Sequence, residues 1–88
     1  MYKRHEIKCI NPYFTDVWNV HKNFEVREND RNYKAGNFVL IKEFDKNTAC
    51  YTGRSVLVII TYILKNFPQG LKDNYIVFSF YPLKYNTK

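Results

Sequence analysis

Residues 55–64 read SVLVIITYIL, ten residues without a charge and six of them β-branched, flanked by Arg54 and Lys65. β-Branched side chains are stiff at χ1 and pack well on a pleated surface, so Arg54–Leu64 reads as a strand. It is the longest in the chain, and its unbroken apolar stretch predicts a central strand buried in part on both faces. The run is also far short of the ~20 residues that a membrane-spanning helix needs.

Working outward, Phe67-Pro68-Gln69-Gly70 makes a loop and Tyr75–Tyr81 (YIVFSFY) a last strand, followed by a polar basic tail over 82–88. On the other side, Phe38–Asp45 reads as a strand that turns through Lys46-Asn47-Thr48. NDRNYKAGN (29–37) is rich in turn formers and offers Gly36 for a positive φ. Asn23–Glu28 alternates, which predicts Phe24 and Val26 inward and Glu25 and Arg27 outward. Asn11 before Pro12 reads as an N-cap followed by proline at the first helical position. With Phe14, Val17 and Trp18 at i, i+3 and i+4, a short helix over Pro12–Val20 follows, too short to stand without docking on a sheet. His5–Ile10 alternates as a first strand. The fold class expected is therefore α+β: about five strands with one short helix after the first, curled into a small β-barrel because closure removes exposed edges. Residues 1–88 make one domain with a core over about 5–81.

Composition narrows the function classes. The chain has 14 Lys+Arg against 8 Asp+Glu, a net +6, and its aromatic share of 18% excludes an intrinsically disordered chain. Residues 1–8 and 81–88 each carry +2, so two-thirds of the excess lies at the ends. MYKRHEIK has the basic start of a signal peptide with no apolar stretch behind it, and neither a membrane span nor a membrane partner is expected. Cys9 and Cys50 lack CxxC spacing, which predicts reduced thiols and a cytoplasmic protein. With His5 and His21 they make a poor zinc set, so neither metal nor cofactor is expected.

HEIKCI (5–10), NPYF (11–14), Lys22–Arg31 (KNFEVRENDR), TGR at 52–54, TYIL at 61–64 and GLKDNY at 70–75 together resemble a small bacterial and phage branch of the ASCH/PUA-like superfamily, a domain of unknown function. Its pattern runs HELKI, PEYF, GKKTFEIRKNDR, Gly-Asp before a strand, TGR, TYIL and GL-x-x-GY. The likeness covers His5 to Phe80. It implies a PUA-like β-barrel with a cleft beside the helix, and the superfamily's general association is with RNA. Several positions depart from the pattern, among them His21 in place of the first lysine and an uncharged loop tip at Thr48-Ala49-Cys50. The family's glycine before the lysine pair is Val20, which predicts a different path for the helix-to-strand turn, since valine takes positive φ only at a cost. The Gly-Asp pair is Gly36-Asn37, and the second glycine of GL-x-x-GY is Asn74, which tolerates the left-handed region.

The candidate site follows from the densest polar run. Lys22, Arg27, Arg31 and Arg54 are candidate phosphate contacts, since a guanidinium forks onto phosphate oxygens. Glu25 and Asn29 can read a base edge. Tyr13, Tyr33, Tyr51 and Tyr62 offer rings for stacking on an unpaired base, with Tyr13 and Tyr51 the favoured pair, although tyrosines also anchor small sheets. The competing reading makes the same charges structural: Glu25 paired with Arg27 or Lys22, and Asp30 with Arg31. His5 is expected to tie down the first strand.

The expectation is thus an RNA-binding or other single-stranded nucleic-acid-binding module, with a non-catalytic protein-interaction or accessory domain of phage or bacterial origin as the alternative. A third class, a small nucleoside amidohydrolase, is implied by another ASCH branch that uses a lysine three residues before a threonine and a glutamate on an inserted helical segment. Lys22 matches that lysine, but the threonine position is Glu25 and the insertion is missing. A carboxylate neighbour keeps a lysine charged, which opposes nucleophile or base chemistry. No catalytic residue is expected, and the oligomeric state is left between monomer and weak dimer.

Overall fold

The computed structural model describes residues 3–87. Among them, five strands and one helix run in the order β1 (Arg4–Cys9), α1 (Tyr13–Trp18), β2 (Phe24–Glu28), β3 (Phe38–Asp45), β4 (Cys50–Leu64) and β5 (Tyr75–Asn86). They form one sheet in the order β1-β3-β4-β5-β2, with β1 and β3 parallel and the other neighbours antiparallel. The sheet curls into a half-barrel whose edges are β1 and β2.

The core fills the concave face. Val39 and Ile41 of β3, Val56, Val58 and Ile60 of β4, and Ile76, Phe78 and Phe80 of β5 are buried there with Ile7 and Cys9 of β1. β4 therefore has the central place expected of SVLVIITYIL, although its burial alternates and its convex face stays half-buried or exposed. Helix α1 packs Phe14 and Val17 into the half-barrel, with Trp18 set edge-on against Tyr85 at 5.2 Å. The Oδ1 of Asn11 accepts the Thr15 N–H at 2.9 Å and the Thr15 hydroxyl at 2.7 Å, while Pro12 itself stands at the N-cap. The helix is shorter than expected at both ends.

Three further expectations need correction. The segment 82–88 is no tail: β5 continues through it to Asn86, with Val56 opposite Tyr85 and Ser55 opposite Asn86, because β4 is long enough to template it. Lys88 lies outside the described residues. β4 begins at Cys50, four residues before Arg54, since the hairpin from β3 closes tightly at Ala49, whose φ is 56°. The Val20 turn keeps the glycine's backbone path, with φ at 63°. His21 N–H bonds the Asp16 carbonyl at 2.8 Å and Val20 N–H bonds that of Val17 at 3.1 Å, the paired bonds of a Schellman motif whose left-handed position usually holds glycine. Lys22 N–H also reaches the Asp16 carbonyl, at 3.0 Å, so this motif sets where Lys22 enters the sheet. Asn74 takes a φ of 63° and Gly36 one of 91°, as their sequence positions implied.

Candidate functional site

The charges of β2 face the opposite way from the sequence expectation. Paired residues of an antiparallel ladder share a face, and Glu25 pairs with Phe78 and Arg27 with Ile76, both of which are buried. Glu25 is thereby turned inside, at 4% exposure, while Phe24 and Val26 stand outside at 42% and 51%. Alternation gave the period of the strand correctly and its inward face incorrectly, because the burial of Glu25 is offset by two cations rather than by water. Lys22 Nζ donates to Oε2 of Glu25, and Arg27 Nε donates to Oε1 at 3.2 Å. The pairs that the structural reading anticipated are therefore present.

The open seam between β1 and β2 holds a cleft of about 860 Å³. Its walls are Ile7–Ile10 from β1 and its exit, Phe24–Glu28 from β2, Lys22, and Asp30, Arg31 and Tyr33 from the loop that follows, with Tyr13 and Tyr75 at the margins. Two arginines bridge the seam. Arg27 Nη2 donates to the Lys8 carbonyl at 2.8 Å, and Arg31 Nη1 donates to the Glu6 carbonyl. These side-chain bonds stand where a backbone ladder would close the barrel, and they occupy acceptors that an edge strand otherwise leaves open.

Of the eight candidate residues, Lys22, Glu25, Arg27, Arg31 and Tyr13 line this cleft. Asn29 does not: its Oδ1 accepts the Tyr33 N–H at 3.0 Å and so shapes the loop. Tyr51 is on the β3–β4 hairpin, edge-on to Phe44 at 5.1 Å and under Lys42 Nζ at 4.3 Å. Tyr62 lies on the convex face.

Arg54 also lies outside the cleft lining, and its partner explains the TGR motif. Lys42 opposes Ser55 while Phe44 opposes Tyr51, so Thr52-Gly53-Arg54 bulges around Glu43, with Gly53 at a φ of 101° that suits glycine. Arg54 Nε and Nη2 fork onto the Glu43 carboxylate at 2.9 and 3.0 Å. Thr52 Oγ1 donates to the same group at 2.6 Å and Asn11 Nδ2 at 2.7 Å. Arg54 lowers the Glu43 pKa to about 2, burial opposes it, and Thr52 and Asn11 add to the lowering. In return the Arg54 pKa is raised. The guanidinium also lies over the Trp18 ring at 4.8 Å and the Phe14 ring at 5.4 Å. This hub fastens α1 to the bulged hairpin.

Two cleft residues escaped the site prediction. Tyr33 was weighed only as one tyrosine among several. It is buried at 4% exposure, with its ring 4.6 Å from that of His5 and 5.2 Å from that of Phe78. Burial raises its phenol pKa. Tyr75, at the start of β5, gave no signal beyond its ring. His5 donates from Nε2 to Asn37 Oδ1 at 3.0 Å, an oxygen that also accepts the Lys34 N–H at 3.1 Å, so it does tie β1 to the loop that precedes β3. Cys9 lies on the cleft floor, its thiol pushed up to about 11 by burial first and by Glu25 next, and is thus a poor nucleophile. Among the described residues, no group of three His, Cys, Asp or Glu is placed to hold a metal, and no helix is long and apolar enough to cross a membrane.

The chain belongs to the family described as a domain of unknown function (DUF3850), which matches residues 4–80. A search of curated proteins found no match.

Proposed function

Within the DUF3850 family, we propose that this chain is a PUA-like module that binds RNA or another single-stranded nucleic acid, holding one unpaired nucleotide in the β1–β2 cleft. The observation that carries this reading is the convergence of Lys22, Glu25, Arg27 and Arg31 with Tyr13, Tyr33 and Tyr75 on one concavity. Glu25 holds Lys22 and Arg27 in place, and both cations keep donors beyond the bonds described above. Those donors take phosphate oxygens, while Tyr13, exposed at the rim, stacks on the base. Arg54 and Asn29 have no part in it, being held by Glu43 and by the loop respectively.

A bound peptide strand fits this cleft less well, since the Glu6 and Lys8 carbonyls of β1 already accept arginine donors. The amidohydrolase reading weakens further, because the Lys22 amine is engaged by the Glu25 carboxylate as an ion-pair partner. A protein-interaction role is the second reading, favoured by the apolar convex face of β2, β4 and β5. On this reading the module works in the cytoplasm, where its two free thiols stay reduced.

Fluorescence anisotropy with short labelled single-stranded RNA and DNA tests the proposal. Lys22→Ala combined with Arg27→Ala is expected to weaken binding by more than ~10-fold and to flatten the salt dependence. Lys84→Ala, on the convex face, is expected to change little. Equal losses from both variants would reduce the binding to general charge and refute the cleft.

A further inference from the structure

The convex face of β2, β5 and β4 is an apolar surface that the chain itself leaves uncovered. Phe24 lies beside Ser79 of β5, which lies beside Tyr62 of β4, and the next row holds Val26, Val77 and Leu64. Tyr62 and Tyr81 are 63% and 64% exposed, higher than Phe24 or Val26. The three aromatic rings alone present on the order of 300 Å². With their aliphatic neighbours the patch reaches roughly 500–600 Å², the upper end of the largest patch on a typical monomer, a size that often marks a contact surface. Doubled in a symmetric pair, that area stands at the lower bound of specific interfaces, about 1,200 Å² in total.

Its area and the charges at its two ends suit a second copy. Lys22 borders the Phe24, Val26, Ser79, Tyr62 and Tyr81 field at the β2 edge, its Nζ 5.3 Å from the Phe24 ring, and none of the strand positions within the field is charged. At one end of it, beside Tyr75, stands Glu28, with Lys72 Nζ over the Tyr75 ring at 5.7 Å; at the other, opposite Leu57, stands Lys84. Glu28 shares the outward side of β2 with Phe24 and Val26. A β-bulge absorbs Leu83, since Val58 pairs with Pro82 and Leu57 with Lys84. The two charges therefore lie at similar distances from Ser79, on the order of 15 Å. A two-fold axis in the plane of the interface, crossing the strands at Ser79, reverses the strand direction and brings Glu28 of one copy opposite Lys84 of the other, twice. Such self-complementarity is what an isologous contact requires, and an unrelated partner has no need of it.

We propose that a second copy of this chain docks on this face, two half-barrels packing sheet to sheet about Ser79 with Glu28 and Lys84 paired at both ends. Sheets aligned in this manner interdigitate their facing side chains. The inference does not rest on nucleic-acid binding, although the two sites meet along the β2 edge, where Phe24, Val26 and Glu28 also border the cleft.

Sedimentation equilibrium across the micromolar range tests it. Self-association to twice the 10.6 kDa monomer mass is expected. Tyr81→Lys and, separately, Tyr62→Lys are expected to leave a monomer with an unchanged far-UV circular dichroism spectrum. Glu28→Lys is expected to weaken the dimer about 5-fold or more, and adding Lys84→Glu to restore it, because the reversed pair re-forms across the axis. A monomer at every concentration, dimerisation indifferent to both tyrosine variants, or a charge reversal that fails to restore the Glu28→Lys loss would each overturn the proposal. If a tyrosine variant fails to fold, the charge reversal decides.

Discussion

Val20→Gly is expected to stabilise this protein, against the usual direction for a glycine substitution. Val20 sits at the left-handed position of the Schellman motif that ends α1, with φ at 63°. For an L-residue this region costs about 1–2 kcal/mol, and a β-branched side chain lies at or above the upper end. Three-fifths of the valine is exposed, so its removal sacrifices about 0.6–1 kcal/mol of apolar contact. The larger conformational freedom of glycine in the unfolded chain takes back about 0.5–1 kcal/mol. The balance is a gain of about 0.5 kcal/mol, or a rise in Tm of ~2–4 °C for a domain of this size. Val20→Asn should follow the same direction with a smaller rise, and Val20→Ala, which keeps a Cβ, should gain least. Thermal unfolding followed by circular dichroism at pH 7 reads the order directly. Had the turn taken another path, with Val20 at negative φ, the glycine would lower Tm by several degrees. A fall in Tm for Val20→Gly would therefore refute both the strain and the Schellman assignment.

Three other outcomes follow from the hubs described above. Glu43, held at about 2 against an ordinary 4.5, contributes on the order of 3 kcal/mol above pH 4.5, and this is lost as pH falls toward 2. Glu43→Gln should remove most of that contribution at pH 7 and flatten the acid limb of stability, which urea titrations at a series of pH values would show; an unchanged acid limb would mean that other carboxylates govern it. Asn37→Ala orphans both His5 Nε2 and the Lys34 N–H and should cost about 2 kcal/mol, while Asn37→Asp, which keeps an acceptor, should cost less in the same titrations. In a Cys50→Ser background the Cys9 thiol, raised to about 11, should react slowly with an aromatic disulfide reagent, and Arg27→Ala should speed it by loosening the seam; equal rates in the two backgrounds would show that Arg27 does not close the cleft.

The strands announced themselves where the physics is local. Val56, Val58 and Ile60 are apolar, β-branched and central, and their neighbours Val39 and Ile41 alternate as a buried strand should. Asn74 and Gly36 were legible as turns because a short or absent side chain is the local requirement. What stayed hidden depends on contacts distant in sequence. Nothing in NFEVRE reveals that β5 presents Phe78 and Ile76 to it, and this pairing turns Glu25 inward. Arg54 reads as an available cation until Glu43, eleven positions earlier, is brought under the bulge. Segment 82–86 is polar enough to pass for a tail, and only the length of β4 makes it a strand. Lys22 and Arg27 were found as a cluster because their partner Glu25 lies within three residues. Tyr33, whose neighbours His5 and Phe78 are far away in sequence, was not.

The basic excess therefore divides by what each cation is attached to. Arg54 answers Glu43, and Lys8 and Lys42 lie over Phe44 and Tyr51. Arg27 and Arg31 are different, since each donates to a β1 carbonyl while facing the cleft. A planar guanidinium has five N–H groups in fixed directions, so such an arginine can grip the seam and still present donors to a ligand, which a lysine cannot do with the same geometry. Arg27→Lys should accordingly separate the two roles: the charge remains, but the seam bond and the fork onto a phosphate are lost together. If nucleic-acid binding depends on a seam of fixed width, this variant should weaken it nearly as much as Arg27→Ala. If charge alone suffices, Arg27→Lys should bind as the parent does, and the cleft would then be a passive basic surface.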